Sequence, residues 1–161
     1  MVKKSNSGSN RILFIYSSHH LSGSLKTRFF YALKGRNKTL GLIDNKSIIQ
    51  LSKGVILTDL KNKEKVESFL NFWKCNFYVL SSQDIENKVV LKYNSSHLSG
   101  SNKVRFFYAL KGRGLSQGII ARTESIQLAK SILIVPLEKM QDITEFFRFW
   151  KCKFEVIDLN A

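Results

Sequence analysis

Two blocks spelled HLSGS hold the side chains best suited to nucleophilic chemistry. They place His20 beside Ser22 and Ser24, and the same block recurs from His97 to Ser101. A serine nucleophile needs a general base and an acid that orients the base, and neither block contains an acid. Serine and glycine are also typical of hairpin loops, where open backbone N–H groups are able to contact a phosphate. We therefore assign no catalytic residue, and we expect that the protein is not an enzyme.

The histidines and cysteines do not have the spacing of a metal site. The chain contains three histidines and two cysteines, Cys75 and Cys152, and has no CxxC pair. Structural zinc sites need four thiolate or imidazole ligands at characteristic spacings. A buried free thiol is the usual state of such isolated cysteines. The sequence predicts no metal and no cofactor.

A third set of residues suits the binding of a polyanion. The nonapeptide RFFYALKGR occurs twice, at 28–36 and 105–113, and a lysine lies two residues before each copy. Guanidinium and ammonium groups bind phosphates, and an aromatic ring stacks on an unpaired base with a gain of about 1–3 kcal/mol. A regular duplex hides its base faces, so single strands or loops are favoured. The predicted binding residues are Lys26, Arg28, Phe30, Lys34, Arg36, Lys103, Arg105, Phe107, Lys111 and Arg113.

The alternation of residue types in the nonapeptide predicts a β-strand with one core face and one basic face. On this interpretation Phe30 and Phe107 lie exposed among the cations of a β-surface. The alternative is that helices or a partner chain cover both rings and that the cations are only solvated. The residues predicted for the core face are Phe29, Tyr31, Leu33, Val104, Phe106, Tyr108 and Leu110.

The nonapeptide belongs to a longer internal repeat. A shift of 77 residues aligns 11–84 with 88–161 without a gap, and about 31 of 74 positions are identical. The identities concentrate in HLSGS, in the nonapeptide and in FWKC. Within the second repeat, 118–130 and 131–137 predict the third and fourth strands, and an apolar stripe through Met140, Ile143 and Phe147 predicts a helix. Short final strands are expected at 77–80 and 154–157.

The predicted fold class is α+β. We expect a tandem duplication of a ββββα unit, with two antiparallel sheets and packed helices related by a pseudo-twofold axis. Residues 11–84 and 88–161 are the two repeats, together one compact domain, with both helices packed through Trp73 and Trp150. Residues 1–10, MVKKSNSGSN, have no counterpart in the second repeat and predict a flexible basic tail.

The charge balance selects the class of partner. The chain has 26 Lys and Arg against 12 Asp and Glu, a formal net charge of +14. Such a field attracts polyanions, so nucleic acid is the first candidate partner and an anionic membrane surface the second. The longest apolar run, near 132–137, is far shorter than the roughly 20 residues of a membrane span, and no signal peptide follows Met1. We expect an intracellular protein with no membrane partner.

The order of segments resembles the Whirly family. The resemblance lies in an FF-bearing segment (Phe106, Phe107), then SIQL, then ILIVPL, then a phenylalanine-rich helix. Whirly proteins build one domain from two ββββα units and bind single-stranded DNA or RNA in plant organelles, and related guide-RNA-binding proteins do so in kinetoplastid mitochondria. PUR repeats and the transcriptional positive-cofactor-four domain share the unit and the ligand class. The resemblance implies a single-stranded nucleic-acid-binding protein.

A second, local resemblance concerns the stretch TLGLIDN at 39–45, which looks like the LAGLIDADG motif of homing endonucleases and intron maturases. In those enzymes each of two motifs supplies one carboxylate, and both are needed to hold the metal ions that activate water. Here Asp44 aligns with Ala121. A degenerate, non-cleaving relative that binds RNA is therefore the alternative to a Whirly-like binder.

A third interpretation is a structural rRNA-binding subunit of an organellar ribosome. The composition is rich in Lys, Asn, Ser and Ile, as AT-rich genomes favour, so mitochondrion and plastid are the candidate compartments. A homo-oligomer and a ribonucleoprotein both agree with the sequence, and RNA and DNA remain alternatives as ligands.

Overall fold

A computed structural model describes residues 10–160 of the chain. The predicted basic tail, 1–10, lies outside the described residues except for Asn10. The chain divides into two compact units. The first comprises the chain up to Asp84 together with Leu159 and Asn160, and the second is Ile85–Asp158.

The first unit has the element order βαββαβ. Its four strands form one sheet in the order β2-β3-β1-β4, and each neighbouring pair is antiparallel. This is the ferredoxin-like, split-βαβ arrangement. Its elements are β1 (Arg11–Ser17), α1 (Gly23–Lys34), β2 (Ile48–Ser52), β3 (Val55–Asp59), α2 (Lys63–Phe72) and β4 (Asn76–Leu80).

The second unit has the same βαββαβ order with one small addition. Its sheet has the strand order β10-β5-β9-β8, again antiparallel throughout. A two-stranded hairpin and a short helix lie between its first long helix and the next strand of the main sheet. The elements are β5 (Lys88–Asn94), α3 (Gly100–Lys111), β6 (Gly112–Arg113), β7 (Ser116–Gln117), α4 (Ile119–Arg122), β8 (Ile126–Ala129), β9 (Ile132–Pro136), α5 (Met140–Phe149) and β10 (Lys153–Ile157).

Each unit has an aromatic core between its sheet and its two long helices. In the first unit Phe29 of α1 is fully buried, and its ring centroid lies 5.6 Å from those of Phe69 and Trp73. In the second unit Phe106 of α3 has the same position, with its centroid 5.6 Å from that of Trp150. Burying an aromatic side chain removes a large apolar area from water, so these contacts stabilise the attachment of the helices to the sheets.

The predicted fold class is confirmed as α+β with two antiparallel sheets and packed helices, but the predicted ββββα order is wrong. The nonapeptide, predicted as a strand, forms the second half of α1 and of α3 and the residues just after them. The predicted strand 118–130 contains helix α4 before β8. The observed βαββαβ order therefore differs from the ββββα order on which the resemblance to Whirly proteins rests.

The helical state of the nonapeptide follows from its local sequence. Phe29 and Leu33 are four residues apart, so both reach the core from one side of a helix. Gly35 follows the last helical residue with φ of 83°, and its N–H donates to the Tyr31 carbonyl at 2.8 Å. Glycine adopts this positive φ without steric cost, which favours the end of a helix here.

The helices are short. None of those between residues 10 and 160 has the length and apolar character that crossing a lipid bilayer requires.

Candidate functional site

The solvent side of α1 carries a group of cations around one tyrosine. Buried Phe29 and Leu33 fix the inner side of the helix, and Arg28, Tyr31 and Lys34 are exposed. Arg36 follows the helix, and its Cζ lies 4.4 Å from the centroid of the Tyr31 ring. We call Arg28, Tyr31, Lys34 and Arg36 the first basic stripe.

Helix α3 presents the same arrangement in the second unit. Arg105, Tyr108 and Lys111 are exposed, and the Cζ of Arg113 lies 4.7 Å from the Tyr108 ring centroid. We call these four residues the second basic stripe. A guanidinium above an aromatic face is attracted by the ring and keeps its N–H groups at the edge free for a ligand. Both arginines are therefore held in position to contact an anion.

The exposure of the aromatic residues in the nonapeptide is the reverse of the prediction. Phe30 and Phe107, predicted to be exposed, are half-buried and pack on the two cores. Tyr31 and Tyr108, predicted for the core, are 40% and 43% exposed. The reason is the period: successive residues turn by about 100° in a helix and by about 180° in a strand.

The first cation of each predicted set lies near the start of its helix. Lys26 and Lys103 are exposed in the first turns of α1 and α3. Around the helix axis each lies about 160° from the next predicted arginine but only about 80° from the lysine eight residues later, Lys34 or Lys111. The structure therefore exposes all four predicted cations of each unit on one helix or directly after it, with a tyrosine that was predicted for the core.

No acidic residue lies near the stripes in the sequence. The segments 11–43 and 88–123 contain no Asp or Glu. Among the described residues, the six stripe cations and Lys26 and Lys103 form no ion pair, whereas Lys61, Lys63 and Lys92 each do. The stripe cations are thus without ion-pair partners, and in the first unit the nearby Asp44 carboxylate, beside Gly35, is hydrogen-bonded to Gly41. The excess of cations at α1 and α3 produces a local positive potential.

The three repeated motifs meet inside each unit. The Nε2 atom of His20 in HLSGS lies 2.8 Å from the Trp73 carbonyl oxygen of FWKC, and His97 Nε2 lies 3.0 Å from that of Trp150. Since a carbonyl only accepts, each imidazole donates its Nε2 hydrogen. The Trp73 ring in turn meets Phe29 of the nonapeptide edge to face, at 86°. This contact explains why all three motifs are repeated together, and it gives the histidines a structural partner.

Two exposed phenylalanines were not among the predicted binding residues. Phe72 and Phe149, the first letters of FWKC, are 77% and 79% exposed at the ends of α2 and α5. Each ring meets the neighbouring tryptophan edge to face, with centroids 5.4 and 5.6 Å apart. Their presence at the same position of both repeats was the available signal, because a ring that the core does not need is free to bind a ligand.

The carboxylate of the LAGLIDADG-like stretch has a local partner. Asp44 Oδ2 accepts a hydrogen bond from the Gly41 N–H at 2.5 Å and so caps the 3-10 turn Leu42–Asp44. The aligned residue Ala121 lies in α4. Within residues 10–160 no cluster of three or more His, Cys, Asp or Glu side chains is arranged to hold a metal ion.

The two cysteines are buried free thiols at equivalent positions. Burial raises the pKa of both Cys75 and Cys152. The protonated thiol is a poor nucleophile, so neither cysteine has the thiolate character that redox or covalent chemistry needs.

No protein-family model matches this chain, and a search of curated proteins finds no significant match. A proposal for its function therefore rests on the surface features described above.

Proposed function

We propose that this protein binds single-stranded nucleic acid, RNA or DNA, through its two basic stripes. The observation that carries the proposal is the recurrence of one cation arrangement without ion-pair partners, Arg-Tyr-Lys-Arg, on the solvent side of α1 and of α3. Core packing explains the buried residues of the repeated nonapeptide but gives no reason for the identity of its exposed ones. Contacts to phosphates give such a reason, because each cation replaces a condensed counterion.

The binding surface of this proposal is helical. The predicted β-surface is abandoned, because every predicted cation within the nonapeptides lies on a long helix or directly after it. The opposite face of the first unit's sheet, away from its helices, offers no basic surface either. Its residues Leu13, Val55 and Leu57 are aliphatic and buried. The aromatic contribution shifts from Phe30 and Phe107 to Tyr31 and Tyr108, and to the exposed rings of Phe72 and Phe149.

Direct titration tests this proposal. We expect the protein to bind a labelled 15-nucleotide single strand more tightly than the matching duplex in fluorescence anisotropy. Log K should fall with log salt with a slope of about −0.7 for each phosphate contact, thus roughly −3 to −4 if most of the six stripe cations engage. Dextran sulfate, a polyanion without bases, is the matched competitor and should compete less well than the oligonucleotide. Absence of binding at 50 mM salt would refute the proposal.

The lack of nuclease activity is a separate prediction. Because Asp44 is held by Gly41 and its counterpart is Ala121, we expect no Mg²⁺-dependent cleavage of single-stranded or duplex DNA. Gel analysis of labelled DNA after incubation with Mg²⁺ measures this. Cleavage that Asp44→Asn abolishes would show an active nuclease and contradict our assignment.

A further inference from the structure

We propose that the first unit contains a pocket for one unpaired guanine base, next to the first basic stripe. This inference rests on the proposed function and adds a base-specific contact to it. The pocket is an open groove of about 710 Å³ between the 39–45 segment and the C-terminal part of α2. A volume of this size is within the range of small-molecule sites.

The groove has apolar and aromatic walls. Phe69 and Phe72 of α2 and the following Trp73 line one side, and Leu40 and Leu42 line the other. Leu40 is 82% exposed and Phe72 is 77% exposed. Two large apolar side chains that face solvent across one groove form a surface on which a flat base is able to stack.

The groove is continuous with the cationic surface. A neighbouring groove is lined by Tyr31, Arg36 and Lys38, and it shares Ala32, Thr39 and Leu40 with the apolar groove. A strand whose phosphates contact Arg36 and Lys38 thus has a base-sized, aromatic-walled space beside it. Lys65 at the same groove adds a further positive charge. This continuity favours a nucleotide over an apolar protein segment as the occupant.

The polar groups of the groove select guanine. Asp44 and Asn45 line it. Asp44 Oδ2 accepts from Gly41, and Oδ1 has no hydrogen-bond partner among the described residues. Asn45 Oδ1 accepts from the Ser47 N–H, which leaves its amide hydrogens as donors. A carboxylate acceptor beside an amide donor complements the N1–H, N2–H₂ and O6 groups of guanine, whereas the N1 of adenine would place an acceptor against the carboxylate.

The second unit lacks this combination and provides the control. It keeps the exposed ring as Phe149, but Ala121 replaces the acid. Gln117 replaces Leu40, and Asp142 replaces Lys65. Arg122, which is exposed, replaces Asn45. The same exposed phenylalanine is therefore present without the guanine-selecting pair of carboxylate and amide.

The test compares three 15-nucleotide strands in competition anisotropy: thymidines with a central deoxyguanosine, deoxyinosine or deoxyadenosine. We expect the full-length protein to prefer guanine over adenine roughly tenfold, the discrimination of a bidentate side chain–base pair. Hypoxanthine, which lacks only the N2 amine, should bind several-fold more weakly than guanine. Asp44→Asn should abolish the preference but not the fold, because the amide oxygen still accepts from Gly41. Phe72→Ala should abolish it too, and Phe149→Ala should leave it unchanged.

Each other outcome has a definite meaning. Salt-dependent binding of all three strands with equal affinity would overturn the pocket and leave the proposed function intact. Failure to bind any strand would overturn both. Equal effects of Phe72→Ala and Phe149→Ala on the guanine preference would show that the pocket is not the source of it. A change of oligomeric state in Phe72→Ala, seen by sedimentation, without a change in base preference would assign the groove to a second copy of the chain.

Discussion

Replacing Phe29 or Phe106 by alanine should lower the free energy of unfolding by about 3–5 kcal/mol, the usual cost of truncating a buried aromatic residue. Both rings are fully buried, and each contacts the tryptophan of its own unit with centroids 5.6 Å apart. Their loss leaves a cavity between helix and sheet and removes aromatic contacts. Denaturant unfolding followed by tryptophan fluorescence measures the change, since each unit contains one tryptophan.

The neighbouring positions are the controls for this prediction. Arg28→Ala and Arg105→Ala lie one residue earlier on the exposed side, and we expect changes within about 0.5 kcal/mol. In a strand Tyr31 would share the core face of Phe29, and its truncation would be equally costly. In the observed helix Tyr31→Ala should cost much less than Phe29→Ala. Equal destabilisation at the two positions would contradict the helical assignment.

Strands β1 and β9 and helix α5 were predictable from sequence. The apolar runs at β1 and β9 are short and rich in β-branched residues, which favours strands over helices, and the apolar stripe of α5 has the helical period. The nonapeptide is ambiguous, since Phe29 and Leu33 fall on one face at a period of 2 and at a period of 3.6. The sequence signal for a helix end was the glycine that follows each copy of YALK. These glycines, Gly35 and Gly112, have φ of 83° and 94°.

The candidate site was predictable in its charges and not in its aromatic residues. Cations are exposed whether the segment is a strand or a helix, so Arg28 and Lys34 were correctly placed at the surface. The exposure of a ring depends on the period, which is why Phe30 and Tyr31 exchanged roles. The groove joins Leu40 and Asp44 of the 39–45 segment to Phe72 of α2. Only the packing of α2 against the 39–45 segment brings them together, and no local pattern reveals that.

Packing accounts for only the inner residues of the repeated RFFYALKGR. Its inner residues are constrained because Phe29 and Phe106 pack on the tryptophan of their own unit. The backbone carbonyl of that tryptophan also accepts a hydrogen bond from the histidine of HLSGS. Its outer residues Arg28, Tyr31 and Lys34 are exposed and lie outside the core. On the proposed function, replacing the outer cations should alter ligand binding with little change in stability.

Replacing Arg28, Lys34, Arg105 and Lys111 together by alanine should test that outer side with the largest effect on binding. Each lost phosphate contact removes about 0.7 from the slope of log K against log salt for a single strand, so four contacts remove about 2.8. At 0.1 M salt the affinity should fall on the order of 10²–10³-fold. Anisotropy titrations of a single-stranded 15-mer at several salt concentrations give both quantities, and thermal unfolding checks that the fold is retained.

A matched variant separates the position of the charges from their number. Lys61, Lys63 and Lys92 are paired with acids, and Lys139 lies beside the first turn of α5. Replacing these four lysines by alanine lowers the net charge by the same four units, from +14 to +10. Because they lie outside the stripes, we expect this variant to keep most of the parental slope. If both variants lose the same slope and affinity, the protein attracts nucleic acid through its overall charge, and the basic stripes are not the binding site.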